Sequence, residues 1–460
     1  MRSEPKVRDK VVTDKVVIDK AVRDKAEKRV LRMLALALWM AASAAQAALP
    51  IQHWTTSSGA RVYFVESRSI PMLDVNVDFD AGGRRVAAEK AGLSGLTYGL
   101  LRAGSAARSE EEISRRIADV GAQLGGNVDR DRVGLSLRTL SSERERAQAI
   151  STLAEILQAP AFPEAAFARE KARLLDAVRE EETKPDAIVN KAFYRLIYGE
   201  HPYALSPTPD AVGRIQRADA EAFYRANYVA ERAVVAIIGD ADRALAERIA
   251  EHLTAGLPRA QGATPQLPPV APPRAETLQL AHPASQSHIL LGLPAIARGD
   301  PDFFPMLVGN YVLGGGGFVS RLYMEVREKR GYAYSVYSYF LPLAQPGPFQ
   351  IGLQTKNEQA EEALARVRLV LGGFLEQGPS AAELKAAKQN LTGGFALRID
   401  SNRKLLDQVA AIGFYQLPLA WLDDFTARVD KVTAAEVRSA FSRRVRVDNL
   451  VTVVVGGGKK

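Results

Sequence analysis

The 460-residue sequence contains no cysteine, which excludes disulfide bonds and thiolate metal ligands. Histidine is nearly as scarce, with five residues: His53, His201, His252, His282 and His288. No two of them are spaced four residues apart, so no helix presents two imidazoles to one metal ion from adjacent turns. His282 and His288 flank a predicted strand start, and ordinary surface positions explain them better than a zinc pair. We therefore predict that the chain binds no catalytic zinc and no other cofactor.

A large excess of charge is also missing from most of the chain. The net charge is +8, but residues 1–32 hold eleven basic and six acidic side chains. Residues 33–47 are uncharged, and residues 48–460 hold 50 basic and 47 acidic side chains. Because the basicity belongs mainly to the N-terminal tail, the composition argues against a nucleic-acid partner.

The N-terminal tail has two unusual features. Asp-Lys recurs every five residues between positions 9 and 25, which indicates either a charged arm or, as we favour, a translation start placed upstream of a true start near Met33. Residues 29–47 then combine basic residues, a short apolar run and the small residues Ala45-Gln-Ala47. This pattern predicts a secretory signal cleaved after Ala47, although retention as an anchor stays open. No later stretch reaches the roughly 20 apolar residues that a spanning helix needs.

Strand and helix signals follow the same order in two halves of the remaining chain. Residues 223–239 (Phe-Tyr, then Ala233-Val-Val-Ala-Ile-Ile-Gly239) match residues 441–456 (Phe-Ser, then Val451-Thr-Val-Val-Val-Gly456) at an offset of about 217. Between the halves, residues 255–275 contain six prolines, as in a semi-rigid linker. Strands grouped with pairs of helices favour an α+β fold over strict β-α alternation. We predict two similar α+β domains, 48–254 and 276–460, each an antiparallel sheet with packed helices, facing each other in a clamshell.

One stretch of the second half combines glycines with polar groups. Leu313-Gly-Gly-Gly-Gly-Phe318 precedes a predicted helix to Glu328, and Gly331 separates that helix from a predicted strand, Tyr332 to Phe340. The glycines permit a tight turn, but no Lys-Ser/Thr follows at the spacing of a phosphate-binding loop. The segment presents Arg327 and Tyr334, which we single out as the pair that meets a substrate.

Three motifs resemble the pitrilysin family of zinc peptidases, which includes insulin-degrading enzyme and the mitochondrial processing peptidase. They are Gly92-Leu-Ser with Leu100-Leu-Arg-Ala-Gly-Ser105, His201-Pro-Tyr, and the segment from Asn310 to Ser335. The resemblance covers residues 50–456 and implies the clamshell fold. Active members have His-x-x-Glu-His on a helix, where two imidazoles bind zinc and the glutamate activates water.

The resemblance places this zinc motif on residues that cannot bind a metal. The His, Glu and His positions align with Gly95, Tyr98 and Gly99, and the third ligand, a downstream glutamate, falls near Ala177, beside Asp176. The acidic run 180–182 lies a turn further on and is explained more simply as a solvated helix face. The resemblance therefore implies a member that has lost its zinc site.

The same resemblance assigns a role to Arg327 and Tyr334. In active relatives an arginine and a tyrosine of the C-terminal half donate to the peptide carbonyl, or to the oxyanion forming on it, at the metal. The plainer alternative is that Arg327 forms only an ion pair and Tyr334 only packs. Some bacterial members act as heterodimers, so we expect a periplasmic, non-catalytic subunit that pairs with a homologous zinc-bearing chain and acts on peptides. We also expect strand Met72–Phe79 to be an exposed edge that binds peptide by main-chain pairing.

Two other functions stay open at this stage. The second hypothesis is that the chain is a peptide-binding or scaffold protein of the same fold without a role in catalysis, like the core subunits that relatives contribute to respiratory complexes. An independent hydrolase is the weakest alternative, because the sequence contains neither a nucleophile-elbow motif nor a histidine-based constellation.

Overall fold

The computed structural model describes residues 50–458, which belong to one compact unit. The Asp-Lys repeat, the start near Met33 and the signal cleaved after Ala47 lie outside the described residues. Within residues 50–458, no helix combines the length and apolar character that crossing a bilayer requires.

The first half builds a six-stranded sheet in the order β1-β2-β6-β3-β5-β4. Its strands are β1 (Gln52–Thr55), β2 (Arg61–Glu66), β3 (Met72–Phe79), β4 (Gln123–Val128), β5 (Val133–Leu140) and β6 (Val234–Gly239). Its helices are α1 (Leu93–Leu101), α2 (Glu110–Ala118), α3 (Glu143–Gln158), α4 (Glu164–Glu181), α5 (Pro185–Tyr198), α6 (Pro209–Arg214), α7 (Arg217–Asn227) and α8 (Arg243–Thr254).

The second half builds a five-stranded sheet in the order β7-β11-β8-β10-β9. Its strands are β7 (Glu276–Leu280), β8 (Gln286–Ile296), β9 (Ser335–Phe340), β10 (Gly347–Lys356) and β11 (Val451–Val455). Its helices are α9 (Phe303–Asn310), α10 (Ala360–Gln377), α11 (Ala381–Gly393), α12 (Asn402–Tyr415), α13 (Phe425–Lys431) and α14 (Ala434–Arg444).

The two sheets share one topology, which confirms the α+β fold with two similar halves. Without β1, the first order becomes the second when β2, β6, β3, β5 and β4 are replaced by β7, β11, β8, β10 and β9. The predicted antiparallel pairing needs one correction, because β2 pairs parallel with β6 and β7 pairs parallel with β11. Helices α3, α4, α5 and α7 and strand β6 start at residues 143, 164, 185, 217 and 234. Their counterparts start at 360, 381, 402, 434 and 451, so every pair is 217 residues apart.

Each half contributes one helix to the sheet of the other. Helix α5 lies against β8 and β11, and its Val189, Phe193 and Ile197 share an apolar cluster with Leu290 and Val453. Helix α12 lies against β2, β3 and β6 of the first sheet. Because both crossings tie the halves together, the domain boundaries at 254 and 276 stay a prediction.

The prediction that β3 is an exposed edge strand is wrong. Strand β3 pairs with β6 on one side and with β5 on the other, so its main-chain groups are not free to bind a peptide. The acidic residues of this strand are buried: Asp74 pairs with Arg138 at 2.7 Å, and Asp78 pairs with Arg132 at 2.5 Å. In the described sheets the outermost strands are β1, β4, β7 and β9.

Candidate functional site

Helix α1 holds the three positions of the lost zinc motif. Its apolar residues, Leu93, Leu96 and Leu100, are buried in the first core, whereas Gly95 is exposed and Gly99 is half-buried. A Cβ atom added at either glycine would meet no heavy atom within 4 Å outside the local helix backbone. Space for a larger side chain therefore exists at both positions, but neither glycine has a side-chain atom that could bind a metal.

Tyr98 lies between these two glycines and packs against β4. A Cβ atom on Gly126 would lie 2.6 Å from the Tyr98 hydroxyl, so the glycine allows the close contact. The Arg102 guanidinium carbon is 5.5 Å from the centroid of the Tyr98 ring. The position of the water-activating glutamate is thus occupied by a packed phenol, which is no carboxylate base.

The predicted third-ligand position, Ala177, lies on α4, which packs against α1. Its side chain is exposed and offers no donor atom. Neighbouring Asp176 pairs with Arg179 at 3.7 Å, and Glu180 pairs with Lys184 at 2.6 Å. Residues 180–182 are exposed, as expected for a solvated helix face.

Residues 50–458 contain no group of three or more His, Asp or Glu side chains placed to hold a metal ion. At the positions that the sequence resemblance assigns to a zinc site, this chain has Gly95, Tyr98, Gly99 and Ala177, none of which is a fitting ligand for that ion. The residues present do not fit a zinc ion. A cleft of about 320 Å³ lined by Gly95, Ser94, Arg130 and Leu174 lies at this position instead.

The glycine-rich segment departs from the regular helix predicted for residues 318–328. Residues Tyr311–Gly315 and Tyr323–Glu328 form π-helical turns, with a short 3-10 turn at Gly317–Val319 between them. Gly314 approaches β9 so closely that a Cβ atom would lie 2.5 Å from the Ser338 nitrogen. π-Helical turns are rare and occur frequently at functional sites.

The structure brings Arg327 and Tyr334 together at the surface of this segment. The Arg327 guanidinium carbon lies 5.5 Å from the Tyr334 ring centroid and 4.8 Å from that of Tyr323, whose hydroxyl accepts a hydrogen bond from Arg327. Tyr334 is 74% exposed, and its main-chain nitrogen donates to the Gln354 carbonyl at 3.3 Å. The tyrosine hydroxyl therefore faces solvent at the start of an edge strand.

Arg327 forms no ion pair with any described residue, unlike its neighbours. Lys329, Arg330 and Arg366 all pair with Glu325, whose pKa is lowered mainly by its hydrogen bond from Lys329. These three cations surround the nearby carboxylate, and the guanidinium of Arg327 instead contacts the aromatic rings of Tyr323 and Tyr334. The alternative in which Arg327 serves only as an ion-pair partner is therefore not supported by the described contacts.

Sequence patterns did not indicate the apolar surface beside this pair. Phe318 and Val319 are 73% and 68% exposed, and Tyr337 and Met324 are also exposed. The glycine run was the available signal, since Gly317 adopts φ +62° and turns the chain outward before Phe318. Strand β9, which begins one residue after Tyr334, has a free edge along the same surface.

Protein-family models and a solved structure both match most of the described chain. Residues 61–208 match the model of "Insulinase (Peptidase family M16)", and residues 214–391 match that of "Peptidase M16 inactive domain". The crystal structure of a peptidase M16 inactive domain from Pseudomonas fluorescens is 35% identical, with a TM-score of 0.85 over 90% of this chain and 99% of that one.

Two curated relatives are more distant in sequence. An uncharacterized zinc protease of Streptomyces coelicolor is 28% identical over 76% of this chain and 78% of its own length. A protein of Helicobacter pylori named as a non-peptidase homolog is 24% identical over 87% of this chain and 92% of its own length. The relatives of this chain thus include proteins named as proteases and at least one named as a non-peptidase.

Proposed function

The chain belongs to the M16 (insulinase) peptidase family, and from that premise we propose that it is the non-catalytic subunit of a zinc peptidase heterodimer. One contrast carries the proposal: Gly95, Tyr98 and Gly99 offer no zinc ligands, whereas the half-buried Arg327 lies beside the exposed Tyr334 and pairs with no carboxylate within residues 50–458. A homologous partner subunit would hold the zinc ion.

The proposed role of the pair is to bind the substrate carbonyl and stabilise its oxyanion. The Tyr334 hydroxyl has one O–H to donate, and the Arg327 guanidinium has several N–H groups in a rigid fork. Donors placed in advance where negative charge develops lower the barrier to acyl transfer without reorganising during the reaction. The cation–π contact with Tyr323 holds the guanidinium beside Tyr334 without neutralising its charge.

Peptide binding in this proposal uses an outer strand of a sheet. Strand β4 has a free edge and passes Tyr98 at Gly126, so a peptide added there would run past the former zinc helix. Main-chain pairing along such an edge gives affinity with little dependence on side chains. We assign this role to β4 in place of the buried β3.

The proposed compartment is the periplasm. This assignment rests on the signal-like residues 29–47, with a mature chain starting at Ala48.

A second candidate is a scaffold or peptide-binding protein of the same fold without a role in catalysis. The specific observation in its favour is the similarity, over 87% of this chain, to the Helicobacter pylori protein named as a non-peptidase homolog. In that case the apolar surface with Phe318 and Val319 would bind a partner that has no His-x-x-Glu-His motif.

The first experiment is a pull-down of the tagged mature chain from its own cells, followed by metal analysis and a peptide-cleavage assay on the eluate. Co-elution of a zinc-bearing relative, with cleavage abolished by a chelator, supports the heterodimer. A metal-free, inactive eluate containing a different partner supports the scaffold.

Point variants then test the pair within the reconstituted complex. Arg327→Gln and Tyr334→Phe are expected to lower kcat by about 10²–10³-fold each, the usual cost of losing an oxyanion donor. Arg330→Gln is the matched control, because it removes a nearby positive charge whose ion pair with Glu325 is long, at 3.8 Å. Unchanged cleavage by the first two variants would refute the assigned role.

A further inference from the structure

A polar cavity lies where the two halves and the proline-rich linker (residues 255–275) meet. Its volume is about 430 Å³, and its lining includes Arg61 and Arg232 from the first half, Thr264 from the linker, and Arg298 from the second half. This cavity is separate from the glycine-rich segment and shares no lining residue with the cleft at Gly95.

The acidic side chains of the cavity already have cationic partners. Asp80 accepts hydrogen bonds from Arg84 at 2.9 Å and from Arg85 at 2.5 Å. Glu231 accepts from the Ala260 main-chain nitrogen at 3.0 Å and lies 3.5 Å from Arg259. These carboxylates are therefore engaged by groups other than Arg61, Arg232 and Arg298.

The three remaining arginines have only carbonyl oxygens as hydrogen-bond partners among the described residues. Arg61 donates to Gly413 at 3.0 Å, and Arg298 donates to Pro342 at 3.0 Å. Arg232 makes two long bonds, of 3.5 Å to Ala226 and 3.4 Å to Gly262. None of the three forms an ion pair within residues 50–458.

Such a concentration of unpaired cations is costly without a counter-ion. Burial lowers the pKa of the Arg298 guanidinium and repulsion from Arg132 adds to this, although Tyr415, Asp131 and Asp129 act in the opposite direction. Moving charge out of water is unfavourable unless an opposite charge compensates for it. A guanidinium presents parallel N–H groups that match two oxygens of a carboxylate or a phosphate.

We propose that this cavity binds an oxyanion, held by Arg61 and Arg232 of the first half and Arg298 of the second. A phosphate and a carboxylate share this recognition chemistry. A ligand that contacts both halves stabilises the folded arrangement in which they meet. The free energy of unfolding of the chain then rises with the ligand concentration by mass action. The inference is independent of the role of Arg327 and Tyr334, because no peptide cleavage is involved.

The test uses the whole mature chain, with inorganic phosphate as the probe and chloride as the reference at equal ionic strength, since general screening is then constant. Isothermal titration gives Kd, and thermal unfolding gives the shift in Tm. The wild type is expected to bind one phosphate and to gain several degrees in Tm at saturation. Arg298→Gln and Arg61→Gln are expected to weaken phosphate binding at least tenfold.

Matched controls keep the result interpretable. Arg214→Gln removes an exposed arginine of α6, outside the cavity, and should bind phosphate as the wild type does. Arg232→Gln serves if Arg298→Gln fails to fold, because its two long hydrogen bonds contribute little to the native state. The proposal is overturned if phosphate has no effect beyond that of chloride, or if all variants respond equally.

Two further probes identify the source of the oxyanion. A short peptide with a free C-terminal carboxylate is compared with its C-terminal amide, each in competition with phosphate. Displacement of phosphate by the acid alone assigns the site to a peptide carboxylate. Displacement by neither, together with phosphate binding, assigns it to a free inorganic anion.

Discussion

The Tyr415 hydroxyl donates a hydrogen bond of 2.9 Å to Asp131, a fully buried residue 284 positions earlier in the sequence. The same carboxylate accepts from the Ala344 main-chain nitrogen at 2.8 Å, so two of its partners come from the second half. Its other partners, Arg84 at 2.8 Å and Tyr203 at 2.5 Å, come from the first half. Asp131 therefore connects the two halves through one buried charge.

Asp131→Asn is expected to lower the free energy of unfolding by about 1.5–3 kcal/mol, because the buried Arg84 loses the charge of one of its two carboxylate partners and keeps only Asp80. Urea unfolding followed by circular dichroism measures the change. Asp119→Asn is the control, since Asp119 is exposed at the end of α2. Equal stability of the two variants would contradict the connecting role of Asp131.

The contact of α12 with the first sheet is expected to tolerate no side chain at Gly413. A Cβ atom there would lie 2.6 Å from the Tyr63 ring and 2.7 Å from Val234. Gly413→Ala should cost about 1–3 kcal/mol through overpacking. Gly372→Ala, in the open interior of α10, should instead stabilise by about 0.5–1 kcal/mol through helix propensity. If denaturant unfolding shows that Gly413→Ala lowers the free energy of unfolding and Gly372→Ala raises it, the close contact between α12 and the first sheet is supported. Equal gains in stability would argue against this contact.

Glu383 is expected to give the protein an acid-sensitive contribution to stability. Hydrogen bonds from Arg321 and from the Ser380 cap lower its pKa from 4.5 to about 2. Because the folded-state pKa lies below the unfolded one, this stability is present above about pH 4.5 and is lost as the pH falls toward 2.

The variant that tests this contribution is Glu383→Gln. It should lower the free energy of unfolding by about 1–2 kcal/mol at pH 7, once solvent screening is allowed for. It should also flatten the stability profile between pH 4.5 and 2 relative to the wild type. Glu200→Gln, in an exposed loop, should keep the wild-type profile. An unchanged profile in Glu383→Gln would mean that its partners do not favour the ionised form.

Zinc binding is expected to return when its ligands are restored. Both glycines on α1 have room for larger side chains, so Gly95→His, Tyr98→Glu and Gly99→His combined with Ala177→Glu should bind one zinc ion per chain. Metal analysis after dialysis measures the stoichiometry. The same variant with Ala177 retained should bind zinc more weakly, and equal affinity would place the third ligand elsewhere.

Local signals in the sequence were sufficient for several helix starts, for the internal repeat and for the absence of zinc ligands on α1, but not for the irregular turns of residues 311–328. The Ser-x-x-Glu pattern at Ser109 and Ser380 and the Thr-x-x-Glu pattern at Thr433 each form a capping box, since the hydrogen bonds join residues three apart. The internal repeat, with an offset of 217 residues, also appears in the structure, because similar local sequence patterns in the two halves form the same helices and strands. The absence of ligands at Gly95, Tyr98 and Gly99 follows from residue type alone.

The tertiary structure decided the relationships that depend on partners distant in sequence. Strand β3 was expected at an edge, but it is a central strand whose Asp74 and Asp78 are neutralised in the interior by Arg138 and Arg132. The crossing of α5 and α12 between sheets depends on apolar and glycine contacts that span the whole chain. The cavity with Arg61, Arg232 and Arg298 depends likewise on folding, since only folding brings these three charges to one place.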